Sequence, residues 1–382
     1  MKKILNKILG LLCIIMIFCS GCQSVEQRKV LKFSSWGSKS ELEILKPIIS
    51  DFESKNPDVK IEFIHIPQNY FQKIHLLFAS NMAADVIFLN NLYLPIYANA
   101  GLLRELEVDD GFYEKALEAL TYNGKLYAIP RDISNLVIYY NKDIFDKKNI
   151  DYPKSDWTFE EFLDKAIALT DDEVFGISFD ESAMFYLPYL MSMGGGILSD
   201  DLSSLIIDDV ESRMGLEFYS NLRKKYHVAP EKNESASLTM AQMFLQERLA
   251  MDLSGRWIVP KYREEAEFDW DIVNFPHGFI GSVVPMDASG WAISKSSKNP
   301  ELAQKFIEHL SSRESIEKFS QGGLIVPARV DVATSQYFLN DLKPKNAKVF
   351  LDVIDTSKPT PVSVDYNEIV DELSQKLEYL FN

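Results

Sequence analysis

Cysteine is scarce in this chain, and its few copies all lie near one end. The 382 residues contain three cysteines, at positions 13, 19 and 22, and the 360 residues after Cys22 contain none. The long segment after Cys22 therefore cannot form a disulfide within itself. A hydrophobic core must hold it together, and about 360 residues are enough for two domains.

Sequence signatures of catalysis and metal binding are also missing. The five histidines are scattered without the HExxH spacing of zinc sites, and no G-x-S-x-G motif is present. Acidic doublets such as Asp171-Asp172 and Asp200-Asp201 lack EF-hand spacing. Gly194-Gly195-Gly196 is not followed by the Lys-Ser/Thr of a phosphate loop. We predict no catalytic residue, no metal and no cofactor.

Basic residues are too few for a nucleic-acid-binding surface. Lysine and arginine number 40 against 56 acidic residues, which gives a formal net charge of -16. Removal of the first 21 residues, which include Lys2, Lys3 and Lys7, would make the charge -19 (37 basic against 56 acidic). Such a surface repels phosphate backbones, so we predict no nucleic-acid partner.

The N-terminal segment lacks the length of a membrane span. Three lysines precede an apolar run from Ile8 to Phe18, which is about a dozen residues where a spanning helix needs roughly 20. The run ends in Cys19-Ser20-Gly21-Cys22, which resembles the bacterial lipobox, although Cys19 stands where leucine is usual. We predict a signal peptide over 1–21, lipidation of Cys22 and a tether over 22–29. A short anchor and an ordinary export signal remain as alternatives.

The chain beyond the tether alternates between strand and helix patterns, which predicts an α/β fold with a mainly parallel sheet. Residues 30–34 read as a strand, and Ser40 with Glu43 has the spacing of a capping box at the start of a helix. Asn123-Gly124 predicts a hairpin turn. In such sheets ligands bind beyond the carboxyl ends of strands. Residues 36–38 and 90–91 come after predicted strands and are therefore site candidates.

Several segments together resemble the extracellular solute-binding proteins of sugar ABC transporters, the group that includes maltose-binding proteins. No single motif is specific, and the resemblance rests on their order and spacing over almost the whole chain. The segments are Asn123 to Pro130 with Tyr140-Asn141-Lys142, Trp157-Thr158, Gly194 to Gly196, Ala250 to Trp257, Ser289 to Ile293, Ser297 to Phe306 and Gly322 to Arg329.

This resemblance implies a two-lobed, periplasmic-binding-protein-like fold of type II. A ligand cleft would lie between lobes joined by crossing strands near 133–138, 273–276 and 327. We predict an N-terminal lobe of 30–134 plus 276–326 and a C-terminal lobe of 135–275 plus 327–382. Closure about such crossings traps the ligand.

The resemblance also implies a function. The chain would be a monomeric, lipid-anchored substrate-binding component of an ABC importer on the outer face of the bacterial cytoplasmic membrane. It would capture a sugar or oligosaccharide and deliver it to the permease subunits, with membrane contact through the lipid alone. Two alternatives stay open. One is a lipid-anchored glycoside hydrolase, which needs two carboxylates about 5 to 9.5 Å apart. The other is a binder of a non-sugar solute with the same fold.

Tryptophan and polar side chains are the candidate ligand contacts. Trp257 matches a position where the family commonly stacks a ring on sugar, and Trp291 and Trp36 are further candidates, whereas Trp157 and Trp270 read as structural. Sugar hydroxyls need hydrogen-bonding partners. For these we predict Asp132, Glu41, Ser38, Asn90, Asn91, Ser134, Tyr186 and Arg329. Each could instead be a cap or a solvated loop residue, and Arg329 could form a salt bridge between the lobes.

Overall fold

A computed structural model describes residues 28–108, 110–235, 238–340 and 342–381. The predicted signal peptide, Cys22 and most of the tether lie outside these residues. Among the helices so described, none is long and apolar enough to cross a membrane.

Most strands belong to one sheet, with the order β10-β6-β9-β3-β1-β2 and with β11 on β9 and β7 and β8 on β6. A separate hairpin joins β4 and β5. The strands are β1 (Lys29–Ser35), β2 (Val59–His65), β3 (Val86–Asn90), β4 (Thr121–Tyr122), β5 (Lys125–Leu126), β6 (Ile129–Asn141), β7 (Met251–Gly255), β8 (Trp270–Val273), β9 (Pro285–Ile293), β10 (Val326–Pro327) and β11 (Lys358–Pro359).

Helices pack on both faces of this sheet. They are α1 (Lys39–Lys55), α2 (Tyr70–Ala79), α3 (Leu94–Asn99), α4 (Glu114–Ala119), α5 (Lys142–Lys147), α6 (Phe159–Leu169), α7 (Ala183–Met193), α8 (Val210–Lys224), α9 (Lys232–Ser235), α10 (Met240–Leu245), α11 (Val259–Glu265), α12 (Pro300–Leu310), α13 (Arg313–Gln321), α14 (Val330–Ala333), α15 (Gln336–Leu339), α16 (Val349–Thr356) and α17 (Tyr366–Phe381). A 3₁₀ turn, Arg256–Ile258, precedes α11.

Strand β6 belongs to two parts of the sheet. Its residues 129–135 pair with β9, and 132–133 also pair with β10. From Leu136 onward it pairs with β7, and from Ile138 with β8. The chain thus crosses from a first half-sheet to a second half-sheet within one strand. This crossing falls inside the predicted segment 133–138, and the boundaries of the two lobes stay a prediction.

The two faces of the sheet are covered differently. On one face, α1, α12 and α13 build an apolar core on the first half-sheet, and α6, α7, α8 and α17 build a separate core on the second. On the other face a single core runs under both halves and includes Ile87, Ile133, Val137, Tyr262 and Phe350. The two halves are therefore joined on one face and separated on the other.

Local expectations are met with two differences. The Asn123-Gly124 hairpin is present, with φ of 49° and 74° at its two central residues. Helix α1 begins earlier than predicted, because Ser38 rather than Ser40 is the N-cap and accepts from the Glu41 amide, and it continues through Pro47. The sheet is mixed rather than mainly parallel, since β9 carries the chain back and runs antiparallel to both β3 and β6.

Gly290 allows β9 to approach β6 closely. A Cβ on residue 290 would lie 2.1 Å from the Ile129 carbonyl oxygen, which belongs to backbone and cannot rotate away. Replacement of Gly290 by alanine should lower the free energy of unfolding by about 3 kcal/mol, because the two strands must separate. Gly196→Ala is the matched control, since its Cβ would find its nearest atom at 3.4 Å. Urea unfolding of both variants checks this, and equal losses would contradict it.

Candidate functional site

A stripe of polar side chains lies between the two separate cores. Asp132 and Ser134 of β6 stand opposite Ser289 and Asp287 of β9, so the four side chains point to the same face of the sheet. Beyond them on this face, Trp291 enters the first core and Leu136 enters the second. We call Asp132, Ser134, Asp287 and Ser289 the polar stripe. It lies between the two cores on this face, and we call the space above it the cleft.

A β-bulge sets one end of the polar stripe. The register of β6 against β9 shifts between Pro130 and Asp132, which leaves Arg131 as the extra residue. Arg131 and Asp132 then lie side by side, with 3.0 Å between Nη2 and Oδ2. Glu41 of α1 accepts from Nη1 of the same guanidinium. The bulge thus places a buried cation between two carboxylates, and this ion cluster ties α1 to β6.

Burial dominates the electrostatics of the ion cluster. Arg131, Glu41 and Asp132 are all at least nine-tenths buried. Burial raises the pKa of Asp132, and the charge and hydrogen bond of Arg131 only partly offset this. The guanidinium also lies over two aromatic rings, 4.1 Å from the centre of Phe88 and 5.0 Å from that of Phe319. Asp132 Oδ1 is buried and has no hydrogen-bond partner among the described residues.

Aromatic residues form the wall beside the start of α1. Trp36 is half-buried, with its ring 4.4 Å from Phe88 and 5.0 Å from Tyr70, centre to centre. Ser38 is exposed at the N-cap of α1. The positive end of the α1 dipole therefore faces outward, beside the rings of Trp36, Phe88 and Tyr70.

Trp257 stands over a cavity on the second half-sheet. Gly255 is the strand partner of Leu136, and a Cβ on Gly255 would fall 1.9 Å from the Trp257 ring. The ring therefore lies on the same face as the polar stripe, since Leu136 and Ser134 are two residues apart on β6. Trp257 is 37 % exposed and lines a cavity of about 390 Å³.

Acidic groups also line this cavity. Asp180, Glu181 and Asp252 share it with Arg223, which donates to Glu181 at 3.2 Å and lies over the Phe179 ring. Burial raises the pKa of Asp252 to about 6, although the Tyr262 hydroxyl donates to this carboxylate at 2.6 Å. The guanidinium of Arg131 in the ion cluster and that of Arg223 beside this cavity are both held by carboxylates.

Sequence comparison assigns the chain to a family. The family model described as bacterial extracellular solute-binding protein matches residues 48–345, which is most of the chain. The chain belongs to this family. The members of the family act outside the cytoplasm, and the same location follows for this solute-binding protein.

Individual relatives are distant but similar over nearly their full length. A galactooligosaccharide-binding protein and a maltodextrin-binding protein of Bacillus subtilis are each 24 % identical to it, over 87 % and 88 % of this chain and 80 % and 82 % of theirs. An ABC substrate-binding protein of Listeria monocytogenes, solved in complex with cycloalternan, matches with a TM-score of 0.86. That match is 26 % identical and covers 93 % of this chain and 94 % of the other. The predicted two-lobed fold is confirmed.

The structure of this solute-binding protein brings many of the predicted site residues to the cleft. Asp132 and Ser134 form the β6 side of the polar stripe, and Trp257 lies beside it. Glu41 reaches the stripe through Arg131. Asn91 donates to Asp287 at 2.9 Å, and the neighbouring Asn90 is half-buried at the end of β3.

Three other predicted residues lie elsewhere. Trp291 is 1 % exposed and packs among Phe88 and Phe319 in the first core, so no face of its ring is open. Tyr186 is fully buried in the second core on α7. Arg329 is held by Asp331, at 3.0 Å, in a separate groove beside Phe112, so its ion pair is a local one. In each case packing or a local partner takes the side chain away from the cleft.

Four acidic residues of the cavity and the polar stripe were not predicted from the sequence. Asp180 and Glu181 come to the cavity from one loop and Asp252 comes from β7, and Asp287 reaches the polar stripe only through its pairing with Ser134. The alternation of small and polar residues in β9 was the one available signal. Among the residues that the structure covers, no group of three histidine, aspartate or glutamate side chains could hold a metal ion.

The ion cluster should be essential for stability. Arg131→Met would leave Glu41 and Asp132 buried without a cation, so the free energy of unfolding should fall by about 3 to 5 kcal/mol. The control is Arg329→Met, which removes a partly exposed pair and should cost no more than about 1 kcal/mol. Equal losses in urea unfolding of the two variants would rule out the special role of Arg131.

Proposed function

We propose that this protein is the sugar-binding component of an ABC importer. It captures a saccharide in the cleft between its halves and delivers it to the membrane permease. The observation that carries the proposal is Trp257, an exposed ring above a cavity and beside the polar stripe. Relatives whose names give a galactooligosaccharide or a maltodextrin as ligand support the same class of ligand.

The chemistry of the cleft suits a saccharide. Trp257 offers an apolar face that can stack on the C–H face of a sugar ring, while carboxylates and hydroxyls on the floor accept and donate hydrogen bonds to its hydroxyls. A volume of about 390 Å³ lies within the range of small-molecule sites. Three acidic residues (Asp180, Glu181 and Asp252) and one cation (Arg223) line this cavity. This excess of negative charge disfavours anionic solutes.

Binding is favoured over hydrolysis by the arrangement of the carboxylates. Asp132 and Asp287 are diagonal neighbours on β6 and β9, and such positions lie roughly 7 to 8 Å apart. This spacing is within the range of a glycosidase, but both groups belong to one floor, and Asp132 is tied to Arg131. A hydrolase needs its two groups on either side of the scissile bond. We propose that the protein binds its ligand without turnover, and release of reducing ends from a bound saccharide would contradict this.

The anchor is part of the proposal. Cys22 as the lipidated residue would hold the protein on the outer face of the cytoplasmic membrane through a short polar tether, which keeps a monomeric binder near its permease. Cys22→Ser should release the protein from the membrane fraction and leave ligand affinity unchanged. Retention of this variant in membranes would show that the apolar N-terminal run is itself the anchor.

A panel of saccharides tests the function directly. The probes are a linear maltodextrin, a galactooligosaccharide and cycloalternan, with thermal unfolding as the measurement. A saccharide at 100 times its Kd should stabilise the protein by about 2.7 kcal/mol. Stabilisation by none of a broad sugar panel would count against a sugar-binding role.

Trp257 should carry much of the affinity for the stabilising saccharide. Trp257→Ala should weaken binding about tenfold or more in calorimetry, because the stacking surface is lost. Gly255→Ala should act in the same direction, since its methyl group displaces the ring. The control is Phe279→Ala, which removes an 85 % exposed ring on the turn between Gly278 and Gly281. Equal affinity of the Trp257 and Phe279 variants would exclude Trp257 from the site.

A further inference from the structure

Asp287 is an acidic group on the cleft floor that no sequence motif indicates. It lies on β9, directly opposite Ser134 of β6, and its side chain points to the face between the two cores. Both Ser134 and Asp287 are half-buried, whereas Asp132 and Ser289 are buried. Asp287 and Ser134 are therefore the accessible pair of the polar stripe.

The two aspartates of the stripe have different surroundings. Asp132 gives Oδ2 to Arg131, and its Oδ1 is enclosed. Asp287 forms no ion pair with any residue in the described part of the chain, and its Oδ1 accepts from the Asn91 amide at 2.9 Å. Arg131 thus neutralises Asp132 within the protein. No cation among the described residues neutralises Asp287, so its carboxylate can interact with a ligand.

Asn91 fixes the direction of the Asp287 carboxylate. The side-chain oxygen of Asn91 accepts from the Ala288 amide at 3.1 Å, and its own backbone amide donates to the Ala288 carbonyl at 3.0 Å. With both ends of its side chain occupied, Asn91 cannot turn away from Asp287. A carboxylate held in this way is preorganised to accept further hydrogen bonds.

The position of Asp287 is unfavourable for the folded protein alone. Burial raises the pKa of this carboxyl, and the Asn91 amide and the Thr360 hydroxyl offset the effect only in part. Tyr366 of α17 is close enough that Asp287 adds to burial in raising the pKa of its hydroxyl. An ionised group that is partly desolvated without a cation lowers stability at neutral pH. Such a group is expected where it serves a ligand.

We propose that Asp287 binds the ligand directly and is the specificity-determining carboxylate of the cleft. The inference rests on the proposed sugar-binding function and adds to it the residue that selects the ligand. Oδ2 of Asp287 accepts hydrogen bonds from ligand hydroxyls, and the Ser134 hydroxyl opposite can donate to a ring or hydroxyl oxygen. The fitting ligand is an uncharged saccharide, because a carboxylate, sulfate or phosphate at this point would face an uncompensated negative charge.

A matched pair of variants tests the assignment. Asp287→Asn and Asp132→Asn make the same chemical change on the same face of the sheet. Calorimetry with the stabilising saccharide of the panel measures affinity, and thermal unfolding of the ligand-free protein measures stability. Asp287→Asn should weaken binding about 10- to 100-fold and leave the Tm unchanged or higher. Asp132→Asn should lower the Tm, because Arg131 loses a partner.

Each alternative outcome has a distinct meaning. Unchanged affinity of Asp287→Asn would overturn the assignment. A fall in Tm similar to that of Asp132→Asn, together with lost binding, would make Asp287 a structural residue of the crossing strands and would also overturn it. If the unaltered protein binds a saccharide, the proposed function holds in both cases. If it binds none, that function fails and the assignment of Asp287 fails with it.

Discussion

The ion cluster of Arg131 with Glu41 and Asp132 is the interaction on which the cleft depends. A guanidinium removed from water is stable only if its charge and hydrogen bonds are compensated, and here two carboxylates from different elements do this. One of them lies on α1 and the other on the crossing strand β6. The position of α1, with Ser38 and Trp36 at its start, is therefore fixed relative to the polar stripe. The rings of Phe88 and Phe319 complete the surroundings of the cation.

The unequal faces of the sheet explain how one fold provides both a rigid support and a cleft. A continuous core under both half-sheets, with the Asn135 amide donating to the Phe350 carbonyl of α16 at 2.8 Å, joins the halves on one side. The other side has two cores with polar residues between them. On that side the apolar contacts lie within each core, so bending about the crossing strands would break few of them. This is the geometry required for hinge closure around a ligand.

Much of the fold could be predicted from the sequence, because it depends on local patterns. Apolar runs such as Val86 to Leu89 and a turn dipeptide such as Asn123-Gly124 determine strands and a hairpin through short-range preferences. The site was predicted less well. The bulge at Arg131 changes which side chains of β6 share a face, and no local sequence pattern predicts the bulge.

Residues that the structure places differently from the prediction, and residues that were not predicted, depend on contacts that the local sequence pattern does not show. Trp291 and Ser289 lie on the same face of β9, and the register with β6 and β3 decides that Trp291 enters the first core while Ser289 stands opposite Asp132. Arg329 found a partner two residues away in Asp331. Asp287 is recognised as a site candidate only from its contacts with Ser134 and Asn91, which are more than 150 residues away in the chain. Trp257 was predicted because it matches a position of the family. A match to a family reflects the whole fold, including contacts between residues far apart in the chain.

The most direct measurement is a crystal structure of the protein with a bound saccharide. We expect a sugar ring stacked on Trp257, with its hydroxyls within hydrogen-bond distance of Ser134 and Asp287 on the cleft floor. The two half-sheets should close over it. A saccharide bound away from the polar stripe, with Trp257 uncovered and the halves unmoved, would contradict the account.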